Sequence, residues 1–262
     1  MSDASGGRWV GWAVVLGALA FAPGAALAQA EKAVAAIDQK DCEGAIDALN
    51  RGVADGEVRS MYLVGQMFEF GICLKVDPRR AVPVYERAAT LGDAASARSL
   101  AVIHARGAGV PHSYVKAGSW FALSHGGKAG IDLPAESTFA TPDAIAKTYV
   151  EAVHDLAEDT MVYPAQATVQ GVRARVVMRF DPRDASVSVV SSTDNQGNAT
   201  NHLGPNKHLF ERALATSYDA AIKALPKPDL PATGDYATEH EFEFSRDRNG
   251  RDGPYGSQGL RR

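Results

Sequence analysis

The sequence predicts an α+β chain in two parts: an N-terminal α-solenoid of helical hairpins, then a small α+β domain ordered strand, strand, helix, strand. Three observations lead there. Asp41, Ala45 and Gly56 return as Asp77, Ala81 and Gly92, and Gly71, Ala81 and Tyr85 return as Gly107, Ala117 and Phe121, at a constant offset of 36 residues. A period of that size, with small and apolar residues at helical spacing, marks stacked helical hairpins, which bury their apolar faces only against their neighbours. Beyond about Met161 the period shortens to two, as in Val176-x-Met178-x-Phe180 and Phe242-x-Phe244, the signature of half-buried strands. The 262 residues, 45% hydrophobic and 22% charged, are enough for one large or two small globular domains.

The first segment stands apart from both. Trp9 to Ala22 is an apolar run of about 14 residues, broken by Pro23-Gly24 and followed by Ala26-Leu27-Ala28. The run is shorter than the roughly 20 helical residues a bilayer requires, and small residues stand where a signal peptidase reads them. Residues 1–28 are therefore expected to be a cleaved export signal, with a retained inner-membrane anchor as the alternative.

Residues 30–124 read as helix, turn, helix throughout. Glu31 to Gln39 carries Ala33, Ala36 and Ile37 on one face. Asp41 offers an N-cap to a helix from Glu43 to Ala54, which Asp55-Gly56 ends. Arg59 to Phe70 follows, with Tyr62, Leu63, Met67 and Phe68 apolar, and Gly71 ends it. Asp77-Pro78 starts the next helix with a cap and a proline at the first helical position, and Gly92 ends it. In that helix Ala81, Val84, Tyr85, Ala88 and Ala89 form one apolar stripe. Ala94 to Arg106 and Ser113 to Ser124 repeat the pair. Residues 125–160 are a linker and a capping helix, opened by Thr141-Pro142-Asp143 and carrying Ile145, Tyr149, Val153 and Leu156 inward.

These residues carry a resemblance. Met61-Tyr62-x-x-Gly65-x-Met67-x-x-x-Gly71 with Asp77-x-x-x-Ala81-x-x-x-Tyr85-x-x-Ala88-Ala89-x-x-Gly92-Asp93 is similar to the Sel-one-like repeat, a branch of the tetratricopeptide-type solenoids. The second copy includes Ala97, Leu100, Gly107-x-Gly109-Val110, Tyr114, Ala117 and Trp120-Phe121. Two positions depart from it: Cys73 stands where the second copy has Gly109, and Ala101 stands where the first has Gly65. The resemblance implies adaptor or scaffold work in protein complexes.

The two cysteines are Cys42 and Cys73. In the repeat register Cys42 starts one hairpin's second helix, and Cys73 lies in the inter-helix loop of the next. Stacking sets equivalent edges side by side, so a disulfide between them is expected in an oxidising compartment. A redox pair is the rival reading, without a C-x-x-C to support it.

Residues 161–245 form the second domain. An alternating strand ends at Phe180, Asp181 to Asp184 turns, and Ser186 to Ser192 is a second strand. A polar loop runs from Asp194 to Asn206. Leu209 to Leu225 is a helix with Leu209, Ala213, Leu214, Ala220, Ala221 and Leu225 as candidate core. Pro226 to Gly234 is extended, and Tyr236 to Ser245 is the last strand. Tyr163-Pro164-x-x-Ala167-x-x-x-Gly171, the strand to Phe180, Ser191-Ser192, the helix, and Lys227-Pro228 before the last strand resemble the C-terminal domain of the TonB family. The resemblance implies a periplasmic partner-binding domain that pairs an edge strand with an extended peptide. Residues 246–262, with five arginines against two aspartates, are expected to be a disordered tail.

The net charge of −4 and pI near 6.0 argue against nucleic-acid binding, which needs a basic face. The seven histidines show no zinc spacing, His202 and His208 merely flank a polar loop, and no nucleophile elbow or phosphate loop occurs. No catalytic, cofactor-binding or metal residues are assigned. The expected function is that of an exported, non-enzymatic adaptor of the bacterial envelope, periplasmic, with protein partners docked by both parts and membrane contact only through a retained anchor. The alternatives are a TonB-like energy transducer with that anchor, and a periplasmic hydrolase whose site is assembled from distant residues. Tyr62, Tyr85, Tyr114 and Trp120 are the candidate partner-binding residues, with core packing as their other reading.

Overall fold

The computed structural model describes residues 28–126, 133–162, 164, 174–194, 208–246 and 252–254. The predicted export signal lies outside the described residues apart from Ala28, as do most of the 163–171 motif and the polar loop that carries His202. Six helices in three hairpins come first: α1 (Ala28–Asp38) with α2 (Cys42–Ala54), α3 (Val58–Phe70) with α4 (Pro78–Thr90), and α5 (Ala94–Arg106) with α6 (Tyr114–Gly126). A short 3-10 turn (Glu136–Phe139) leads to α7 (Pro142–Thr160). Strands β1 (Ala174–Asp181) and β2 (Ser186–Asp194), helix α8 (Leu209–Ala224), and strands β3 (Thr238–Arg246) and β4 (Asp252–Pro254) follow among the described residues.

The repeat is visible in the backbone itself. Gly71 and Gly107 both end helices in the left-handed region, at φ 73° and 70°, and close onto the carbonyls of Met67 and Ile103. Asp77 N–H donates to Phe68 O at 2.7 Å, and its equivalent Ser113 N–H donates to His104 O at 2.9 Å. Asp41 and Asp93 cap their helices by accepting from the N–H groups of Gly44 and Ser96. Asp77 starts α4 by its backbone and the following proline, without a side-chain cap bond.

Glycine is needed where neighbours crowd. A Cβ at Gly65 would lie 2.3 Å from the Tyr85 ring, so the close approach of α3 to α4 depends on the missing methyl. The second copy tolerates Ala101 at this position, where Phe121 stands for Tyr85. The two rings differ in their anchoring: the Tyr85 hydroxyl donates to Glu69 Oε2 at 2.8 Å and holds its ring over α3.

The sheet is antiparallel with order β2-β1-β3-β4. Along β1, Ala174, Val176, Met178 and Phe180 are buried, and they pair in register with Phe244, Phe242, His240 and Thr238 of β3. On the other face, Arg175 and Arg179 of β1 meet Glu241 and Glu239 of β3 at 3.1 and 3.5 Å. The inner face of α8 is Phe210, Leu214, Tyr218, Ala221 and Leu225. This corrects the sequence reading, which set Leu209, Ala213 and Ala220 among the core contacts: Ala220 is exposed, and Leu209 and Ala213 are only half-buried. Phe210 and Tyr218 complete the i, i+4, i+8 stripe that the smaller residues obscured.

β4 falls within the stretch 246–262 that the sequence reads as a disordered tail. Three residues are too few to show alternation, but they pair with Phe244, Ser245 and Arg246 at the end of β3. The rest of the 247–262 stretch lies outside the described residues.

The buried side chains of the hairpins, α7, α8 and the sheet form one continuous cluster. Tyr114 of α6, Tyr149 of α7 and Phe180 of β1 are in ring contact in sequence, at 5.6 and 5.8 Å between centroids. The Tyr114 hydroxyl also donates to the carbonyl of Pro226, tying the third hairpin to the extended segment after α8. Thus α7 caps the hairpins with one face and covers the sheet with another.

Candidate partner-binding surfaces

The four aromatic residues singled out for partner binding are all interior. Tyr85 is 0% exposed and Tyr62, Tyr114 and Trp120 are 5–8% exposed. Tyr62 and Tyr85 are in ring contact at 6.0 Å, and Tyr62 accepts a hydrogen bond from Gln66 at 3.0 Å. Burial raises the pKa of Tyr62, Tyr85 and Tyr114 above the usual phenol range. These rings fill the space between helical layers and offer no face to a partner in this conformation.

What the hairpins do present beside those rings is polar. Arg59 lies over the Tyr62 ring at 5.3 Å. Arg98 of α5 makes a two-pronged contact with Asp155 of α7 and a further bond to Glu158 at 3.1 Å. Burial works against the charge on Arg98, but the Asp155 carboxylate outweighs it and holds the guanidinium protonated. Nearby, His125 Nε2 lies 3.0 Å from Glu151 Oε1, and burial pushes the Glu151 carboxyl up to about 7.

Cys42 and Cys73 are joined by a disulfide, with their Cα atoms 5.2 Å apart. The repeat explains the meeting. One period later the equivalent positions are Pro78 and Gly109, and these also touch: a Cβ at Gly109 would lie 3.3 Å from Pro78 Cβ and 2.9 Å from Arg79 N. Cys73 keeps the left-handed backbone of Gly109, at φ 57° against 76°. The disulfide thus makes covalent, between the first and second hairpins, a contact that the second and third make by packing.

The most accessible recognition element is β2. It stands at one end of the strand order, and from Ser186 to Ser191 no described strand pairs with its outer side. From Ser186 to Thr193 it carries no charge and no proline, the two features that usually protect an edge. Val189 and Val190 are 44% and 49% exposed. Val190 is the extra residue of a bulge, since Val177 pairs with Ser191 and Met178 with Val189. Alternation in the sequence revealed the strand; only the strand order reveals that it is an edge.

His104 is buried, its Nδ1 has no hydrogen-bond partner among the described residues, and burial lowers its pKa. Among the described residues no three His, Cys, Asp or Glu side chains are placed to hold a metal ion, and no helix is long and apolar enough to cross a membrane.

Residues 58–93 and 94–124 match the Sel1 repeat. Each match covers one hairpin, α3 with α4 and α5 with α6. A crystal structure of a protective antigen present in uropathogenic Escherichia coli strains, displaying an SLR fold, is similar at 17% identity and a TM-score of 0.37. That similarity covers 80% of this chain and 35% of the antigen, so the chain spans about a third of that protein's length. No curated protein matches the chain. Sel1 repeats are generally protein-interaction scaffolds, and the α-solenoid followed by an α+β unit is the architecture read from the sequence.

Proposed function

We propose that this chain is an exported, non-enzymatic adaptor of the bacterial cell envelope, with the Sel1-type hairpins docking one protein and the C-terminal unit another. The observation that carries the reading is the uncharged β2 edge beside a set of interaction repeats. Such an edge can take up an extended peptide by main-chain hydrogen bonds, with Val189 and Val190 offering side-chain contacts. This is the mode that the resemblance of residues 161–245 to the TonB C-terminal domain implies. The periplasmic location rests on the export-type segment at residues 1–28 and on the oxidising chemistry a disulfide needs.

The test is capture from an envelope extract with the wild-type chain and with Val189→Lys. A specific partner retained by the first and lost by the second supports edge-strand docking. Absence of any specific partner, or equal capture by both, overturns it. The mass of the mature protein decides the anchor: a chain that begins at Gln29 removes the transducer alternative.

A further inference from the structure

At the seam where α7 meets the sheet, His154 of α7 and His240 of β3 stack with ring centroids 4.5 Å apart and planes tilted by 35°. They sit in an aromatic box. Phe180 of β1 and Tyr218 of α8 lie 6.4 and 5.8 Å from His154, and Phe242 lies 4.7 Å from His240. His154 is 9% exposed, and its Nε2 has no hydrogen-bond partner among the described residues. Neither Tyr149 nor Tyr218, the two other polar rings of this seam, has a partner for its hydroxyl there. The attachment of the sheet to the helical array therefore includes a pair of stacked imidazoles, His154 buried and His240 half-buried, beside the packing of α7 on α8 and the Tyr149–Phe180 contact.

We propose that this stacked histidine pair is an acid-sensitive latch, which holds the α+β unit on α7 near neutral pH and loosens it as the pH falls. Two imidazolium rings at this separation repel, and the surrounding rings replace the water that would stabilise them. The charged groups that face the pair are few. Glu158 and Asp155 lie on α7, Arg98 reaches in from α5, and Glu241 flanks His240 on β3; α8 contributes the Tyr218 phenol and β1 the uncharged Phe180. Asp155 and Glu158 are both engaged by Arg98, which limits what they can offer an imidazolium.

The titration runs the same way. Burial, helped by the neighbouring His240, lowers His154 to about 3, and burial also lowers His240. A histidine with a folded pKa below its unfolded value contributes its full share of stability above about 6.5 and loses it as the pH falls. His154 alone then makes opening of the seam about eightfold more favourable at pH 5.5 than at pH 7.0, and His240 adds to that factor.

Native-state hydrogen exchange on the intact chain, corrected for intrinsic rates, reads this directly. The amides of β1 and β3 are expected to open at least eightfold more at pH 5.5 than at pH 7.0, while those of α3 and α5 change far less. His240→Phe and His154→Phe keep a stacked ring without a titrating nitrogen, and each should remove a large part of the pH response. If either fails to fold, the other and a proton-resonance titration of His154 in the wild type still decide. Equal protection at both pH values, a response undiminished in the folded variant, or a His154 that titrates near 6.5 in the native protein would each overturn the latch.

Discussion

Removing the Cys42–Cys73 disulfide tests the account of the repeat most directly. The bond closes a loop with a sequence separation of 31, for which chain entropy gives about 3.7 kcal/mol. Cys42→Ser with Cys73→Ser should therefore lower the transition by roughly 7–15 °C, at about 2–4 °C per kcal/mol for a domain of this size. A second effect separates loop closure from backbone fit. Cys73 stands at φ 57°, where a side chain costs about 1–2 kcal/mol relative to glycine, and glycine gives back about 0.5–1 kcal/mol in unfolded-state entropy. Cys42→Ser with Cys73→Gly should then be more stable than the double serine variant by about 0.5–1 kcal/mol. Urea unfolding followed by circular dichroism measures both differences. A double serine variant within 1 kcal/mol of the wild type would refute the staple. A glycine variant no more stable than the serine one would refute the claim that Cys73 occupies a glycine position of the repeat.

Other perturbations follow from the same contacts. Gly65→Ala drives a methyl into the Tyr85 ring and should cost about 1–3 kcal/mol by overpacking, while Ala101→Gly, its buried counterpart one repeat on, should cost about 1 kcal/mol of helix propensity and about 1 kcal/mol for the lost buried methyl; chemical denaturation compares them, and Phe121→Ala should relieve nothing at Ala101 whereas Tyr85→Phe should leave the Gly65→Ala clash in place. Arg98→Leu leaves Asp155 unpaired in a largely buried place and should cost about 1.5–3 kcal/mol, of which Asp155→Leu added to it should restore a part, measured as a double-mutant cycle. Val189→Lys sits on an exposed edge and should leave the unfolding midpoint within about 0.5 kcal/mol while it abolishes edge-strand capture, so that loss of binding is not loss of fold.

The legible part of this molecule is the part with a period. The offset of 36 residues places Gly71, Gly107 and Cys73 in one backbone role and brings Cys42 to Cys73. Helix ends were equally readable, because Gly56, Gly71 and Asp41 act through local geometry that needs no distant partner. The misreadings concern tertiary choice. Tyr62, Tyr85, Tyr114 and Trp120 read in the sequence either as core or as interface, and packing decides for the core. Phe210 and Tyr218 flank alanines that suggested a different face of α8, and the sheet they cover decides which face turns inward. β4 was missed because three residues carry no pattern, and its pairing is made across the chain. The exposure of β2 depends on strand order, which hydrophobic alternation does not encode.

The same reasoning changes what the two-part organisation means. A solenoid followed by an α+β unit suggests two arms that swing about a linker, the usual expectation for domains joined by small polar contacts. Here α7 belongs to both. Its Tyr149 stacks between Tyr114 of the last hairpin and Phe180 of β1, its Asp155 holds Arg98 of α5, and its His154 stacks on His240 of β3. A partner on the hairpins and a partner on the β2 edge would thus be held at a fixed spacing and angle, set by one helix of 19 residues. Such an arrangement binds two sites of one partner cooperatively only if their geometry matches, because no flexible linker can absorb a mismatch. Loosening the His154–His240 contact would release that constraint while leaving both binding surfaces intact. Acidity would then act on the coupling between the two surfaces before it acted on either one alone.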